Sequence, residues 1–181
     1  MNSFYTNDEL DKLGLKKYGS NVLISRNASI YSPSTISMGD NVRIDDFCIL
    51  SGRIDLGSYI HISAFCALYG SYGIVLENYT GLSPRCTLFS ASDDFSGNHL
   101  IGPMVDKQLT NVNGGEIRIM EYSQIGASSV LMPNVLIRRG VVVGAMSFVN
   151  KSLDEWGIYA GIPVKRLKDR SKKLLNLSGH V

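Results

Sequence analysis

Asp93, Asp94, Asn98, His99 and Asn111 fall within one stretch, residues 90–116, which has little periodicity of its own. Carboxylates and an imidazole can take, hold or orient a proton, and amides beside them are groups of the kind that bind sugars. A loop of this length inside a compact repeat is either functional or disordered. Two further histidines exist, His61 and His180. His61 is either an exposed or interface polar residue or a site residue reaching toward a neighbouring subunit. His180, one residue from the end, is expected to be disordered. A second group of chemistry-bearing residues is basic: Lys165, Arg166, Lys168, Arg170, Lys172 and Lys173. Such a run can be no more than a solvated face.

These groups need a scaffold, and the rest of the chain describes one. From Ile119 to Asn150 an aliphatic residue returns every sixth place: Ile119, Ile125, Leu131, Ile137, Val143, Val149. Four places after each of the first five sits a small or β-branched residue: Ser123, Ser129, Val135, Val141, Ser147. A period of six suits neither an amphipathic helix nor an alternating strand. It suits a solenoid of short flat strands and turns, with the aliphatics stacked inside and the small residues filling the corners. Met38, Ile44, Leu50, Leu56, Ile62 and Leu68 keep the same spacing, with Val42, Cys48, Ile54, Ile60 and Cys66 as corner residues. A two-residue slip through Gly70–Gly73 follows, and Leu76, Leu82 and Leu88 resume with Thr80 and Cys86. Ile24, Ile30 and Ile36, with Ala28 and Ser34, form a weaker opening.

One domain follows from the 181 residues, divided as an N-terminal cap (1–19), coils (20–150, interrupted by the loop 90–116) and a C-terminal turn and helix (151–181). A short helix is expected over residues 4–18. Thr6 or Asn7 caps it, Asp8 and Glu9 suit its first turn, Leu10, Leu13 and Leu15 face the core, and Gly14 can end it early. Its role is to cover the open end of the solenoid. An amphipathic basic helix is expected from Lys165 to Leu177, with Leu167, Leu174 and Leu175 as its apolar contacts. The net charge of +2 gives no electrostatic case for nucleic acid. No apolar run approaches the roughly 20 residues of a membrane span, and residues 1–9 lack a signal core. Cys48, Cys66 and Cys86 occupy corner positions and match no zinc spacing, so a reduced, cytoplasmic compartment and no metal are expected.

The six-residue period resembles that of the hexapeptide-repeat acyltransferases. The segments Ile125–Ala127 and Val143–Lys151 are similar to that family's coenzyme A region, and Ala160-Gly-Ile-Pro-Val-Lys165 to its closing signature. The nearest likeness is to sugar O- and N-acetyltransferases, including those acting on nucleotide-linked amino sugars. The resemblance covers residues 20–166 and implies an all-β fold, a left-handed parallel β-helix, assembled as a homotrimer with active sites between neighbours. It implies acetyl-CoA or another acyl-CoA as co-substrate. The pantetheine arm would lie near Gly126, Ala127 and Ala145, the phosphates near Lys165 and Arg166, and Lys151 would be a further coenzyme contact. It further implies a nucleotide-linked or free sugar as acceptor, in the making of a bacterial surface polysaccharide. Ser90, Asp94 and Asn98 are then the expected sugar contacts, and Tyr5, Tyr31, Tyr69 and Phe95 are candidates for stacking on a base.

The chain departs from the family pattern at two points. Asp93 stands where related enzymes hold a catalytic histidine, with His99 six places further on. Gln124 stands where sugar O-acetyltransferases often carry a tryptophan. An amine can attack once deprotonated, whereas a hydroxyl gains much from an oriented histidine, so Asp93 favours an amino-sugar acceptor. Asp93, His99 and His61 are the catalytic candidates. O-acetylation of a sugar hydroxyl, and a noncatalytic β-helix that binds or assembles, remain as alternatives.

Overall fold

The computed structural model describes residues 3–177; His180 lies outside them. The chain winds into a left-handed parallel β-helix whose strands stack in three columns. The first column runs Leu23–Ile24, Val42–Ile44, Ile60–Ile62, Gly81–Leu82, Gln124–Ile125, Val142–Val143 and Gly157–Ala160. The second contains Ser29–Tyr31, Thr87–Phe89, Val130–Leu131 and Phe148–Val149; the third contains Ile36–Met38, Ile117–Ile119 and Leu136–Ile137. Two longer strands, Ile49–Leu56 and Ala67–Leu76, bend round the corner and serve both the second and third columns.

The sixth-place aliphatics are the core. Ile44, Leu50, Ile62, Leu68, Leu76, Leu88, Ile119, Ile125, Leu131, Ile137 and Val149 are fully buried, in register with their copies above and below. The corner residues are buried as well, and their polar atoms are used. The Ser123 hydroxyl donates to the Arg138 carbonyl at 3.0 Å, and Ser129 to Gly144 at 3.2 Å. The Cys48, Cys66 and Cys86 thiols donate to the carbonyls of Ser63, Ser83 and Gly126. Ser34 departs from the expectation: it is exposed, because Pro33–Thr35 forms a 3₁₀ turn there instead of a flat corner.

Each left-handed coil turns its corner through a residue with positive φ, and many of these are aromatic. Phe47, Tyr59, Phe65, Tyr79 and Tyr122 have φ between 58° and 64°. A side chain there costs on the order of 1–2 kcal/mol. Stacking of successive corners offsets part of this: Phe47 on Phe65 at 5.1 Å, Tyr59 on Tyr79 at 4.7 Å, Tyr79 on Tyr122 at 5.2 Å between centroids.

The first coil is capped by helix Asn7–Leu13, shorter than residues 4–18 because Gly14 turns left-handed at φ 73°. Glu9 accepts the Thr6 N–H at 2.7 Å and pairs with Arg26 on the coil, and Leu10 is buried. The C-terminal helix expected from Lys165 is not formed. Lys165–Asp169 is a strand antiparallel to Gly157–Ala160, followed by a 3₁₀ turn over Lys173–Asn176. The unpaired edge of the last coil offers hydrogen bonds that outweigh helix propensity. The added strand is fully charged along its outer face except for Leu167, which is 64 % exposed. Leu174 and Leu175 are half-buried.

Candidate active site

The loop leaves the coils at the corner between the second and third columns. Ser90, the last residue before it, is completely buried. Its hydroxyl donates to the Tyr69 carbonyl at 2.8 Å and accepts the Tyr72 N–H at 2.9 Å. Its own carbonyl accepts the Gly115 N–H at 2.9 Å, where the loop returns. The expected role of Ser90 as a sugar contact gives way to that of a corner bolt, since its hydroxyl is spent on the backbone.

From this bolt the loop rises as a hairpin, Ala91–Asp93 against Val112–Gly114, with Asp93 directly opposite Val112. Gly114 cannot carry a side chain, because a Cβ would lie 2.4 Å from the Tyr72 ring. Beyond the hairpin, Asp94 organises the rest. Its carboxylate accepts the Ser96 N–H at 2.8 Å and the Asn111 amide at 3.1 Å, and it stands 3.0 Å from His99 Nδ1. The Ser96 amide foremost, with Asn111 and His99, holds the Asp94 carboxyl well below the usual carboxylate range. Asn98 is exposed, its N–H donating to the Ser96 hydroxyl at 3.3 Å.

Between hairpin and coils lies a cavity of 610 Å³. It is lined by Phe89 of the second column, by Met132 just past the strand Val130–Leu131, and by Asp93, Phe95, Val105 and Val112. Asp93 is half-buried, and its carboxylate has no hydrogen-bond or ion-pair partner among the described residues. Asp94, Asn98 and His99 do not line this cavity. Sequence reasoning missed Val112 and Met132; their only signal was position, one opposite Asp93 and the other one coil beyond Phe89.

His61 lies elsewhere, on the outer surface of the first column, beside a second cavity of 370 Å³ lined also by Arg43, Ser63, Thr80, Ser83 and Gln124. Its Nε2 is 2.8 Å from Asp45, which Arg43 also holds at 2.7 Å. Burial raises the Asp45 carboxyl, but the His61 and Arg43 hydrogen bonds outweigh it and keep it below its ordinary value. Gln124 lies across Gly81, where a Cβ would come within 2.5 Å of its side-chain oxygen. One chain therefore places His61 and Asp93 on different faces of the prism.

The expected coenzyme residues gather around the corner between the first and second columns and at the last coil. Gly126 stacks so closely on the next coil that a Cβ would lie 2.5 Å from the Ala145 nitrogen. The N–H groups of Ala127 and Ala145 donate no hydrogen bond within the described residues. Lys151 and Lys165 are exposed and form no ion pair there. Arg166 is engaged with Asp169 at 2.9 Å and stands over the Tyr159 ring. Arg170 is structural: it donates to the carbonyls of Tyr122 at 2.6 Å and Gly140 at 3.1 Å.

No protein-family model matches the chain. It is 38 % identical over 172 residues to dTDP-4-amino-4,6-dideoxy-D-glucose acyltransferase of Escherichia coli, covering 93 % of this chain and 90 % of that one. The chain belongs to the hexapeptide-repeat N-acyltransferases of nucleotide-linked amino sugars. Its backbone superposes with a TM-score of 0.98 on AntD, an N-acyltransferase from Bacillus cereus in complex with dTDP and 3-hydroxybutyryl-CoA, at 51 % identity over 99 % of this chain and 96 % of that one. A variant of AntD in complex with dTDP-4-amino-4,6-dideoxyglucose and coenzyme A gives 0.98 at 50 % identity, covering 99 % and 97 %. This acyltransferase thus uses acyl-CoA and N-acylation, and O-acetylation is the secondary alternative. Among the described residues no helix is long and apolar enough to cross a membrane, and no cluster of His, Cys, Asp and Glu could hold a metal.

Proposed function

We propose that the chain transfers an acyl group from acyl-CoA to the 4-amino group of a dTDP-linked 4-amino-4,6-dideoxyhexose, in a cytoplasmic route to a bacterial surface polysaccharide. The relatives' named substrate and ligands support the acceptor. The observation that carries the assignment of the site is the unpartnered Asp93 carboxylate in the loop cavity, on a hairpin bolted by Ser90 to the strand Ala67–Leu76. Held there, the carboxylate receives the substrate ammonium and orients the amine. Once the ammonium has passed one proton to the Asp93 carboxylate, the lone pair of the amine attacks the thioester carbon. The N–C bond forms, the C–S bond breaks, and the departing coenzyme thiolate takes the remaining surplus proton from nitrogen. The unused amides of Ala127 and Ala145 suit the pantetheine carbonyls, and Lys151 and Lys165 the phosphates. Arg166, paired with Asp169, assists at most from the second row.

A homotrimer completes this reading. His61 with its polar cavity and Asp93 with its own lie on different faces, so a neighbour's face can close each loop cavity. The loop also presents Phe95, Leu100, Ile101, Met104 and Leu109 to solvent in the single chain, apolar surface that a neighbouring subunit would cover. In that assembly His61, Asp94, Asn98 and His99 stand at the edge of the acceptor site.

The test is mass spectrometry of products from a panel of dTDP-linked amino sugars offered with acyl-CoA donors, alongside sedimentation. A mass increase on a sugar amine by a stable trimer supports the reading. Acylation confined to hydroxyl groups, or full activity in a stable monomer, defeats it.

A further inference from the structure

Charge is divided along the axis of the solenoid. From Arg138 to the C-terminus there are nine Lys and Arg against three Asp and Glu; before Arg138 the numbers are nine and thirteen. The last coils and the strand beyond them therefore carry a net charge of +6, and the rest of the chain −4. Some of these cations are already employed. Arg170 holds the Tyr122 and Gly140 carbonyls, Arg166 pairs with Asp169, and Arg139 pairs with Glu121 at 3.4 Å. Lys168, Lys172 and Lys173 are exposed, and Lys172 stands 5.4 Å over the Trp156 ring.

The strand that leads into these lysines closes the first column. Lys165–Asp169 has Gly157–Ala160 on one side and, among the described residues, no strand on the other. Its pairing skips Leu167: Ile158 opposes Lys168 and Tyr159 opposes Arg166, so Leu167 is the extra residue of a bulge, 64 % exposed between cations. Leu177, beyond the strand, is 66 % exposed. Lysines on an open edge deter pairing with a second chain. That accounts for Lys168, but not for Lys172 and Lys173, which follow the strand, nor for the leucines that accompany them. The phosphates of a nucleic acid offer nothing to Leu167. An anionic bilayer suits both kinds of side chain: its headgroups take the ammonium groups, and an apolar side chain enters the boundary with the acyl chains.

We infer that the C-terminal end of the solenoid docks on the headgroups of a membrane rich in anionic phospholipid, through Lys168, Lys172 and Lys173, with Leu167 as the apolar anchor. The acidic remainder of the chain is repelled by the same surface, which fixes the orientation. Three strand spacings of about 4.8 Å separate Gln124–Ile125, in the coil that carries Met132, from Lys165–Asp169. A docked chain thus holds its loop cavity about 15 Å clear of the headgroups, open to soluble substrates. Attachment is reversible, since one chain brings few cations, each worth several-fold in binding at low salt. Copies related by a three-fold axis along the coils would present this end three times over and bind with greater avidity. Docking requires neither acyl donor nor acceptor, so it stands apart from the acyl transfer proposed above.

The experiment is flotation of the full chain with vesicles of phosphatidylcholine and phosphatidylglycerol in equal parts, against vesicles of phosphatidylcholine alone, at low and at high salt. The wild-type chain floats with the anionic vesicles at low salt, stays behind with the neutral ones, and is released at high salt. The triple variant Lys168→Glu, Lys172→Glu and Lys173→Glu lowers the vesicle-bound fraction about tenfold, and Leu167→Ser about threefold, while both keep the wild-type circular dichroism spectrum. Should the triple variant fail to fold, the milder pair Lys168→Gln and Lys173→Gln replaces it, with a loss of about fivefold. No flotation with anionic vesicles, equal flotation with neutral ones, or flotation unchanged by the lysine variants overturns the inference. Duplex DNA is offered as competitor at equal phosphate concentration: release of the chain from the vesicles assigns this end to nucleic acid and overturns the inference too, whereas retention on the vesicles supports it.

Discussion

The Asp94 carboxylate holds His99 Nδ1 at 3.0 Å, while the adjacent Asp93 carboxylate is left without a partner beside the cavity. Two neighbouring acids thus have opposite employments. One is consumed in building the loop and keeps the imidazole outside the cavity; the other is free for a ligand.

The first prediction follows from that division. Asp93→Asn keeps the shape and removes the charge, and is expected to lower kcat by about 10²-fold, the scale of a lost orienting or acid–base group. The KM for acyl-CoA should change little, because the expected coenzyme contacts lie at other corners. His99→Ala should cost less than Asp93→Asn in kcat. Steady-state kinetics on both variants decides: abolished turnover in His99→Ala with near-normal Asp93→Asn would make the histidine the base.

Asp94→Ala should act on order rather than on chemistry. It removes the acceptor shared by Ser96, Asn111 and His99. Hydrogen exchange of amides between residues 96 and 111 should quicken at least tenfold, and the KM for the sugar should rise more than kcat falls. Unchanged exchange would mean that Leu100–Leu109 pairing alone holds the loop.

The coils were legible because their period is dictated by local geometry: Ile119 to Val149 stack wherever a flat strand and a turn alternate every six residues. The sequence showed less of the corners. Phe47 and Phe65 meet across one coil, and nothing local marks a phenylalanine as a left-handed corner residue. Local propensity predicts a helix from Lys165 to Leu177, whereas the vacant edge of Gly157–Ala160, which recruits Lys165–Asp169 as a strand, is not a local feature. The loop was visible as a break in the repeat, and Asp93 stood out by its place after Leu88. Met132, which also lines the cavity, belongs to another coil, so the cavity appears only once Phe89 and Met132 are adjacent.

Gly126 offers a test of coil stacking at the expected coenzyme site. Gly126→Val would drive a side chain into the Ala145 backbone, which cannot rotate away. Overpacking of this kind costs about 1–3 kcal/mol. The melting temperature should fall, and the KM for acyl-CoA should rise with it. A variant as stable as wild type, with unchanged KM, would place the coenzyme elsewhere.

Arg170→Met should destabilise the last coils without touching the chemistry. The guanidinium donates to the Tyr122 and Gly140 carbonyls, and a half-buried carbonyl left unpaired costs about 1–3 kcal/mol. Thermal unfolding should begin earlier while kcat at 25 °C stays near wild type. A loss of kcat with intact stability would assign Arg170 to the site instead.

The N-terminal cap carries its own pH dependence. Hydrogen bonds from Arg26 foremost, then from the Thr6 backbone and hydroxyl, lower the Glu9 carboxyl from 4.5 to about 2. A carboxyl whose pKa is lowered on folding favours the folded state once it is ionised. That contribution is complete above pH 4.5 and disappears as pH falls toward 2. Because the pair is exposed, its effect is modest and screened by salt. Glu9→Gln removes the charge at every pH. The gap in melting temperature between wild type and this variant should therefore be constant from neutral pH down to 4.5, and close between 4.5 and 2. High salt should narrow the gap at neutral pH. A gap that stays open at pH 2, or widens there, would show that Glu9 stabilises the cap through its hydrogen bonds to Thr6 in either charge state rather than through its charge.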